Sequence, residues 1–277
     1  MTVGWPAVAL VVGSVSAGAL ALVMATAAPP RLVRTNHAGE RVPAVLGLAL
    51  IGATLAASLS TRAGAGGPPG RVEAATLAAA VAVAAVGLLD DLFGGAEDRG
   101  FRGHLGRLVR GRPTTGLLKL VVGVAGGVVV ALAIGGGAVR VVAGALLVAS
   151  ATNLWNALDV RPGRSVKWGI VVLVPVFALT RDTGFGLVAG AALGGALGIL
   201  PFDLLERAML GDAGSNPLGL MAGAGLALVL PTASVIVAAV MVIILQVAAE
   251  TVTISRVINA VPPLRWFDRL GRRPDPT

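Results

Sequence analysis

Long apolar runs, separated by short polar breaks that often contain glycine or proline, recur along the whole chain. Each run approaches the roughly 20 residues that a helix needs to cross the hydrocarbon core of a bilayer. We place spanning helices at 3–28, 43–60, 73–90, 116–134, 138–155, 167–180, 185–202, 216–230 and 232–250. The pattern therefore predicts an all-α, polytopic membrane bundle. Two of its helices, 167–180 and 216–230, are short enough to be broken, steeply placed or partly re-entrant.

Composition supports a membrane protein and excludes an ordinary soluble enzyme. Hydrophobic residues make up 56% of the 277 residues and charged residues only 13%, whereas soluble domains carry about 25% charged residues. The chain has no cysteine, so disulfides and cysteine metal sites are excluded. The formal charge of +8 could indicate nucleic acid, but the basic residues lie in short loops between apolar runs. We therefore expect membrane lipids and no nucleic acid as partners.

The basic residues are distributed unequally between the two ends of the predicted bundle. One set of loops holds Arg31, Arg34, Arg41, Arg99, Arg102, Arg107, Arg110, Arg112, Lys119, Arg161, Arg164, Lys167, Arg207, Arg256, Arg265, Arg269, Arg272 and Arg273. The other set holds Arg62, Arg71, Arg140 and Arg181. Because loops rich in Arg and Lys stay in the cytoplasm, this pattern predicts an outside N-terminus and a cytoplasmic C-terminus. We expect a multi-pass plasma-membrane domain at 1–255 and a basic cytoplasmic tail at 256–277.

Two adjacent aspartates, Asp90 and Asp91, follow the third apolar run in "GLLDDLFGG". A single acid there would be interpreted as a solvated helix end. Two acids at a helix C-terminus are disfavoured by the helix dipole, and no basic residue follows until Arg99. The pair is therefore better explained by a site for a cation or a proton.

The second polar cluster is "NLWNALDVRPGRSVK", at the predicted cytoplasmic end of the fifth span. Asn153, Asn156 and Asp159 are spaced by three, which places them on one face of a helix. Helix capping explains them equally well. The basic residues that follow favour binding of phosphate groups in the same crevice; they are Arg161, Arg164 and Lys167.

The third cluster is "GDAGSNPLG", in which Asp212 lies between glycines and Ser215 precedes what resembles a helix start. An Asx turn with an N-cap would explain part of this pattern. A helix N-terminus beside a carboxylate also suits a metal together with a phosphate. Lys119 lies just inside the fourth span, where an ammonium group is costly unless it is paired or snorkels to the interface. A substrate phosphate or the acids of the first cluster would pair with it.

Taken in order, these clusters resemble the polyprenyl-phosphate N-acetylhexosamine-1-phosphate transferase superfamily, which includes phospho-N-acetylmuramoyl-pentapeptide transferase of peptidoglycan synthesis and the UDP-GlcNAc:undecaprenyl-phosphate GlcNAc-1-phosphate transferases. "GLLDDLFG" is similar to the family's first aspartate motif, "NLWNALD" to its N-x-x-N-x-x-D motif and "GDAGSNPLG" to its G-D-x-G-S motif. The loop "RTNHAGERVPAVLGL" with Pro43 also resembles the family's first cytoplasmic loop. The resemblance covers roughly residues 31–219.

The resemblance implies an enzyme of cell wall biogenesis that acts at the cytoplasmic membrane face and requires Mg²⁺. It would transfer a sugar-1-phosphate from a UDP-sugar to a polyprenyl phosphate such as undecaprenyl or decaprenyl phosphate, with release of UMP. Asp90, Asp91 and Asp212 would be catalytic, with Asp212 and Asp91 as metal ligands. Substrate binding would fall to Lys119, Asn153, Asn156, Asp159, Arg161, Arg164, Lys167 and Ser215. A covalent aspartyl intermediate and direct attack by the lipid phosphate both remain open.

The chain also departs from the family pattern. "DVRPG" stands where the family reads D-G-[LI]-D-G, so Pro162 replaces a second acid, and the histidine motif of the last cytoplasmic loop is missing. Only His37 and His104 occur, both in earlier loops, and we expect a surface role for each. Arg161, Arg164 and Lys167 would compensate by holding the donor diphosphate, so Arg164→Ala should weaken donor binding more than lipid binding.

Two other functional classes stay open. In a transporter or flippase the aspartates would carry protons or ions, but the middle of each predicted span is almost free of charge. A non-catalytic family member would bind polyprenyl phosphate or scaffold envelope synthesis. The tail, with Trp266 and Phe267 among arginines, is either a solvated basic segment or an interfacial one. A homodimer formed through spanning helices is also expected to be feasible.

Overall fold

The computed structural model describes residues 4–94, 115–251 and 254–273. Nearly all regular structure in these ranges is helical. The helices, numbered in chain order, are α1 (Trp5–Thr26), α2 (Leu46–Ala65), α3 (Arg71–Phe93), α4 (Thr115–Ile134), α5 (Ala138–Leu158), α6 (Arg164–Thr180), α7 (Phe185–Leu204), α8 (Asp212–Val229), α9 (Thr232–Thr251), α10 (Ile254–Ala260) and α11 (Pro262–Arg269). A 3₁₀ turn at Pro30–Leu32 precedes two short strands, β1 (Val33–Thr35) and β2 (Arg41–Pro43). The basic loop at 99–112 and His104 lie outside the described residues.

Each predicted span falls on one of the helices α1 to α9, so the prediction of a helical membrane protein is confirmed at that level. Among the described residues, seven helices are long and apolar enough to cross a bilayer: α1, α2, α3, α4, α5, α7 and the Thr232–Ala249 part of α9. The other two, α6 with 17 residues and α8 with 18, are continuous helices about 25 Å long at 1.5 Å per residue. The number of crossings and the side that each end faces stay predictions.

Helix α8 is the centre of the bundle. It packs against α2, α3, α4, α5 and α6, and almost all its residues from Ala213 onward are buried. Small residues permit the close contacts: a Cβ at Gly87 would overlap the backbone carbonyl of Asp212, and one at Gly47 would overlap the backbone of Gly214. The first turn of α8 is therefore held between α2 and α3.

Helix α8 begins earlier than the sequence indicated. The pattern "SNP" predicted a start near residue 216, whereas the helix begins at Asp212 directly after Gly211, whose φ is +69°. The polar residues of "GDAGSNP" lie inside the first turns, where Asp212 and Ser215 contact side chains of other helices and Asn216 bonds to the α8 backbone.

The two strands form an antiparallel hairpin in which Val33 pairs with Pro43 and Thr35 with Arg41. Met209 adds a parallel bridge to Ala44, and Met209 N–H donates to the Pro43 carbonyl at 2.8 Å. The hairpin thus lies against the loop between α7 and α8. It borders the end of the bundle at which α3, α5 and α7 finish and α4, α6 and α8 begin.

Two arginines make buried polar contacts at the opposite end. Arg62 pairs with Glu73, which is only 2% exposed, and Arg62 Nε lies 3.1 Å from Glu73 Oε1. Arg140 donates to the carbonyls of Ala227 and Leu230 at 2.9 and 3.0 Å, which satisfies the C-terminus of α8.

Candidate functional site

Five aspartates meet at one end of the bundle, called here the acidic end: Asp90, Asp91, Asp159, Asp203 and Asp212. At its centre the Lys119 ammonium lies between two carboxylates from different helices. Lys119 Nζ donates to Asp90 Oδ2 at 2.6 Å and also pairs closely with Asp212 Oδ2. The Thr115 hydroxyl donates to the other oxygen of Asp90. The structure thus brings together three residues that the sequence placed in three separate clusters.

Asp91 points to the N-terminus of α8. Its carboxylate accepts the backbone N–H groups of Asp212 at 3.1 Å and of Ala213 at 2.9 Å. This is a helix cap supplied by another helix, and the positive end of the α8 dipole favours the negative charge. Both Asp91 oxygens are occupied by amides, so its contacts are those of a positioning residue for Asp212. Its share in metal binding stays a prediction.

Asp159 and Asp203 form a second carboxylate pair beside the first. Asp159 is the C-cap of α5, is half-buried and accepts a hydrogen bond from the Gly211 N–H. Burial raises the pKa of Asp159 well above its usual range, and the nearby Asp203, Asp212 and Asp91 raise it further. Asp203, at the end of α7, accepts the Gly163 N–H at 2.9 Å. The acidic end therefore gathers several carboxyl groups into a small space.

The predicted asparagine face is present on α5. Asn156 Oδ1 lies 3.3 Å from the Ser215 hydroxyl, and Asn153 is half-buried one turn earlier on the same helix. Asn216, which the sequence associated with a helix start, donates to the Asp212 carbonyl at 2.8 Å. These contacts connect the second and third motifs directly.

A pocket of about 390 Å³ opens beside the acidic end. The hairpin, the loop after α5 and the loop before α8 form its walls. Its polar lining residues are Thr35, Asn36, His37, Asp159, Arg161, Asp203 and Glu206. Of the three predicted phosphate-binding cations, Arg161 alone lines this pocket.

Arg164 and Lys167 do not reach the pocket, so the structure corrects the prediction that they hold a donor diphosphate. Arg164, 2% exposed, forms a two-point pair with Asp268, with Nε–Oδ1 at 2.6 Å and Nη2–Oδ2 at 3.1 Å. Lys167 Nζ donates to the carbonyls of Phe267, Asp268 and Leu270 at 2.8, 2.6 and 3.2 Å. Both cations hold α11 against the start of α6. The sequence could not reveal this, because their partners lie about 100 residues further along the chain.

The charge of Asp268 makes this docking sensitive to acid. Burial alone would raise the pKa of Asp268, but the hydrogen bonds from Arg164 and the charges of Arg164, Arg272 and Lys167 outweigh it and lower the pKa. When folding lowers the pKa of a carboxyl, its charge stabilises the fold at pH values above the unfolded-state pKa, which is about 3.9. This stabilisation is lost as the pH falls through the lower, folded-state pKa. We therefore expect α11 to detach only below about pH 4.

The test uses a spin label on a cysteine introduced by Arg273→Cys, since the chain has no cysteine of its own. The label should be restrained at neutral pH and become mobile in acid. In Asp268→Asn it should be mobile across the whole range, whereas the exposed Asp182→Asn should behave like wild type. Acid-independent mobility in the parent protein would contradict the expectation.

Three contributors at this end were missed at the sequence level. Asp203 closes an apolar run, as Asp90 and Asp159 do, and that shared position was the available signal. Glu206 accepts a hydrogen bond from Asn36 at 2.6 Å and lies 3.6 Å from His37 Nδ1. His37 is an exposed residue whose side chain lies against Glu206 and lines the pocket. Asp268, the third, is an isolated acid among arginines.

The carboxylates fit a magnesium ion whose remaining ligands come from water and substrate. In the part of the chain that the structure describes, no three His, Asp or Glu side chains form a metal-binding group. Magnesium in phosphoryl-transfer sites needs only one or two carboxylates, with water and substrate phosphates completing the shell. Asp90 and Asp212 already converge on one cation, the Lys119 ammonium. The donor set therefore suits Mg²⁺ that arrives with a phosphate-bearing substrate.

Comparison of the chain with models of known protein families found no match, and comparison with curated protein sequences found none either.

Proposed function

We propose that the acidic end is a phosphotransferase site, in which a sugar-1-phosphate passes from a UDP-sugar to a polyprenyl phosphate at the cytoplasmic face of the plasma membrane. The observation that supports it most is the convergence of Asp90 and Asp212 on Lys119. The motif resemblance associates these same residues with this reaction, which belongs to cell-envelope glycan synthesis. In the reaction the bond between the two donor phosphates breaks, a bond to an acceptor phosphate oxygen forms, and UMP leaves.

Charge explains why such a site needs both acids and a lysine. The acceptor phosphate and the donor diphosphate repel each other, and bound Mg²⁺ would neutralise that repulsion and polarise the reacting phosphate. Asp212 would hold the ion with Asp90 nearby. Lys119 can exchange a carboxylate partner for a substrate phosphate, since it contacts both acids. Asp90 would bind or deprotonate the acceptor phosphate.

The pocket of about 390 Å³ beside the acids suits the donor. Arg161 provides a cation at its wall, and Asp159 provides a carboxyl there. Asn153 and Asn156 lie on the helix that leads to this wall. Together these side chains offer a cation and several hydrogen-bonding groups. They suit a nucleotide, which carries phosphate, hydroxyl and amide groups, better than an inorganic ion.

A second pocket, of about 360 Å³, lies between α5, α6, α8, α9, α10 and α11. Its lining is almost entirely apolar and includes Trp155, Trp168 and Leu264. Trp155 is adjacent in sequence to Asn156 on the helix of the second motif. An isoprenoid chain of the acceptor fits this chemistry and this position.

The proposal is tested by incubating the purified full-length protein with undecaprenyl or decaprenyl phosphate, Mg²⁺ and a panel of UDP-sugars. We expect UMP release with at least one donor and its loss when EDTA removes the ion. Omission of the polyprenyl phosphate should also stop release, which distinguishes transfer from hydrolysis. Absence of release with every donor would contradict catalysis and favour a protein that binds polyprenyl phosphate without transferring sugar.

A further inference from the structure

The C-terminal segment, residues 254–273, presents two chemically different faces. One face is buried against α6 and contains the only acid in this range, Asp268, which is 5% exposed. The other face is exposed and carries Arg265, Trp266, Arg269 and Leu270, with Arg273 beyond the helix end. In helix α11 the positions 265, 266, 269 and 270 share one side, because residues three and four apart are neighbours on a helix.

The buried face is fixed by a network of charges. Besides Arg164, Asp268 accepts a hydrogen bond from Arg272 at 3.0 Å, and Arg164 also donates to Ser255 in α10 at 3.0 Å. The Trp168 and Phe267 rings meet edge to face with centroids 5.2 Å apart. A buried pair of this kind constrains geometry strongly, since separating its members leaves an uncompensated charge.

This network is continuous with the donor-side loop. Arg164 directly follows Gly163, whose φ of +71° ends the loop that starts at Asp159. Leu204 lies beneath that turn, within contact distance of a Cβ placed at either Gly163 or Gly271. The loop at 159–163, which lines the pocket, is thus held from below by the C-terminal segment.

The exposed face matches an anionic lipid surface. Within 254–273 no acid is exposed to offset Arg265, Arg269 and Arg273. Trp266 is 67% exposed, and tryptophan with arginine is typical of the headgroup region. The segment follows the apolar run of α9, which ends near Ala249, so it is tethered close to the boundary of the predicted span.

We propose that the exposed face of α11 binds anionic phospholipid headgroups, and that Asp268 acts as a positioning residue that couples this contact, through Arg164 and Lys167, to the loop at 159–163. The lipid contact stands by itself, whereas the effect on turnover rests on the proposed function. A lipid surface is favoured over a nucleic acid or an acidic protein because the face is tethered beside a membrane helix and carries an exposed tryptophan.

The experiment places the full-length protein in nanodiscs of phosphatidylcholine alone or mixed with phosphatidylglycerol, and follows hydrogen exchange in 262–270 and 159–164. Anionic lipid should slow exchange in 262–270 by about fivefold for each arginine that contacts the surface, with a smaller slowing in the loop. High salt should reduce the effect. Equal exchange in both membranes would overturn the proposal.

Matched variants separate the two faces. Arg265→Gln with Arg269→Gln should abolish the lipid effect, while Arg71→Gln with Arg181→Gln, which removes the same charge at the other end of the bundle, should keep it. Asp268→Asn should speed exchange in the loop in both membranes, and Asp268→Glu should restore part of the protection. Identical behaviour of the two arginine pairs would contradict a specific lipid face, even if Asp268→Asn failed to fold.

Turnover provides an independent readout. If the protein releases UMP, Asp268→Asn should raise KM for the donor more than it lowers kcat, because the loop is displaced while Asp90 and Asp212 stay in place. If it releases none, the proposed reaction fails but the lipid-dependent exchange still decides the docking proposal. A fall in kcat with unchanged KM would contradict the positioning role.

Discussion

Replacement of Asp212 by asparagine is expected to reduce UMP release by about 100-fold or more, the range for losing a group that acts directly in proton or charge transfer. The carboxylate is paired with Lys119 and starts the central helix, so the change removes a charge at the point where the two phosphates would meet. The fold should persist, because the hydrogen bond to Asp91 comes from the backbone N–H of residue 212, which the substitution leaves in place. Turnover at saturating donor and Mg²⁺ measures the loss.

Asp182→Asn is the matched control. Asp182 is 90% exposed in the turn after α6, at the other end of that helix, and its removal changes the net charge equally. Its turnover should equal that of the parent protein. Near-normal turnover of Asp212→Asn, with an unchanged dependence on Mg²⁺, would remove Asp212 from the site.

Gly87→Ala is expected to damage both stability and the site, although it adds a single methyl group. The new Cβ would overlap the carbonyl of Asp212 where α3 crosses the start of α8, and backbone cannot yield as a flexible side chain does. Overpacking of this kind costs about 1–3 kcal/mol in the free energy of unfolding. Asp91 would also be displaced from the amides that it caps. Thermal unfolding in detergent and UMP release are the two measurements.

Gly52→Ala supplies the comparison. Gly52 also lies within a spanning helix, but a Cβ there would meet only Leu20 at an ordinary 3.7 Å. Its unfolding temperature should be unchanged or slightly higher, since alanine favours helix more than glycine does. An equal loss of stability in both variants would show that helix crossing at Gly87 is not the cause.

Much of the site could be predicted from local sequence. Asp90 and Asp159 close apolar runs and Asp212 precedes one, and apolar runs of this length end at a membrane boundary. Because successive spans run in opposite directions, the order of the helices predicts that these acids lie at the same end of the bundle. Lys119 was recognisable because an ammonium group just inside a span requires a partner.

The partners themselves could not be predicted in the same way. Whether Lys119 met a phosphate, Asp90 or Asp212 depends on how α3, α4 and α8 are arranged around one another, and an apolar pattern says only that they are helices. The same limit explains Arg164: its position in "RPGRSVK" indicated a phosphate, but packing of α11 supplies Asp268 instead.

Local sequence was enough to predict a helical membrane protein, the position of its apolar helices and the polar clusters at their ends, because bilayer thickness imposes length and hydrophobicity on each span independently. The packing of the helices was needed to show that Asp91 caps α8, that Asp203 lies near Asp159, and that Arg164 and Lys167 hold the C-terminal segment. Those outcomes depend on contacts between residues far apart in the chain, and close packing through glycines such as Gly87 fixes them.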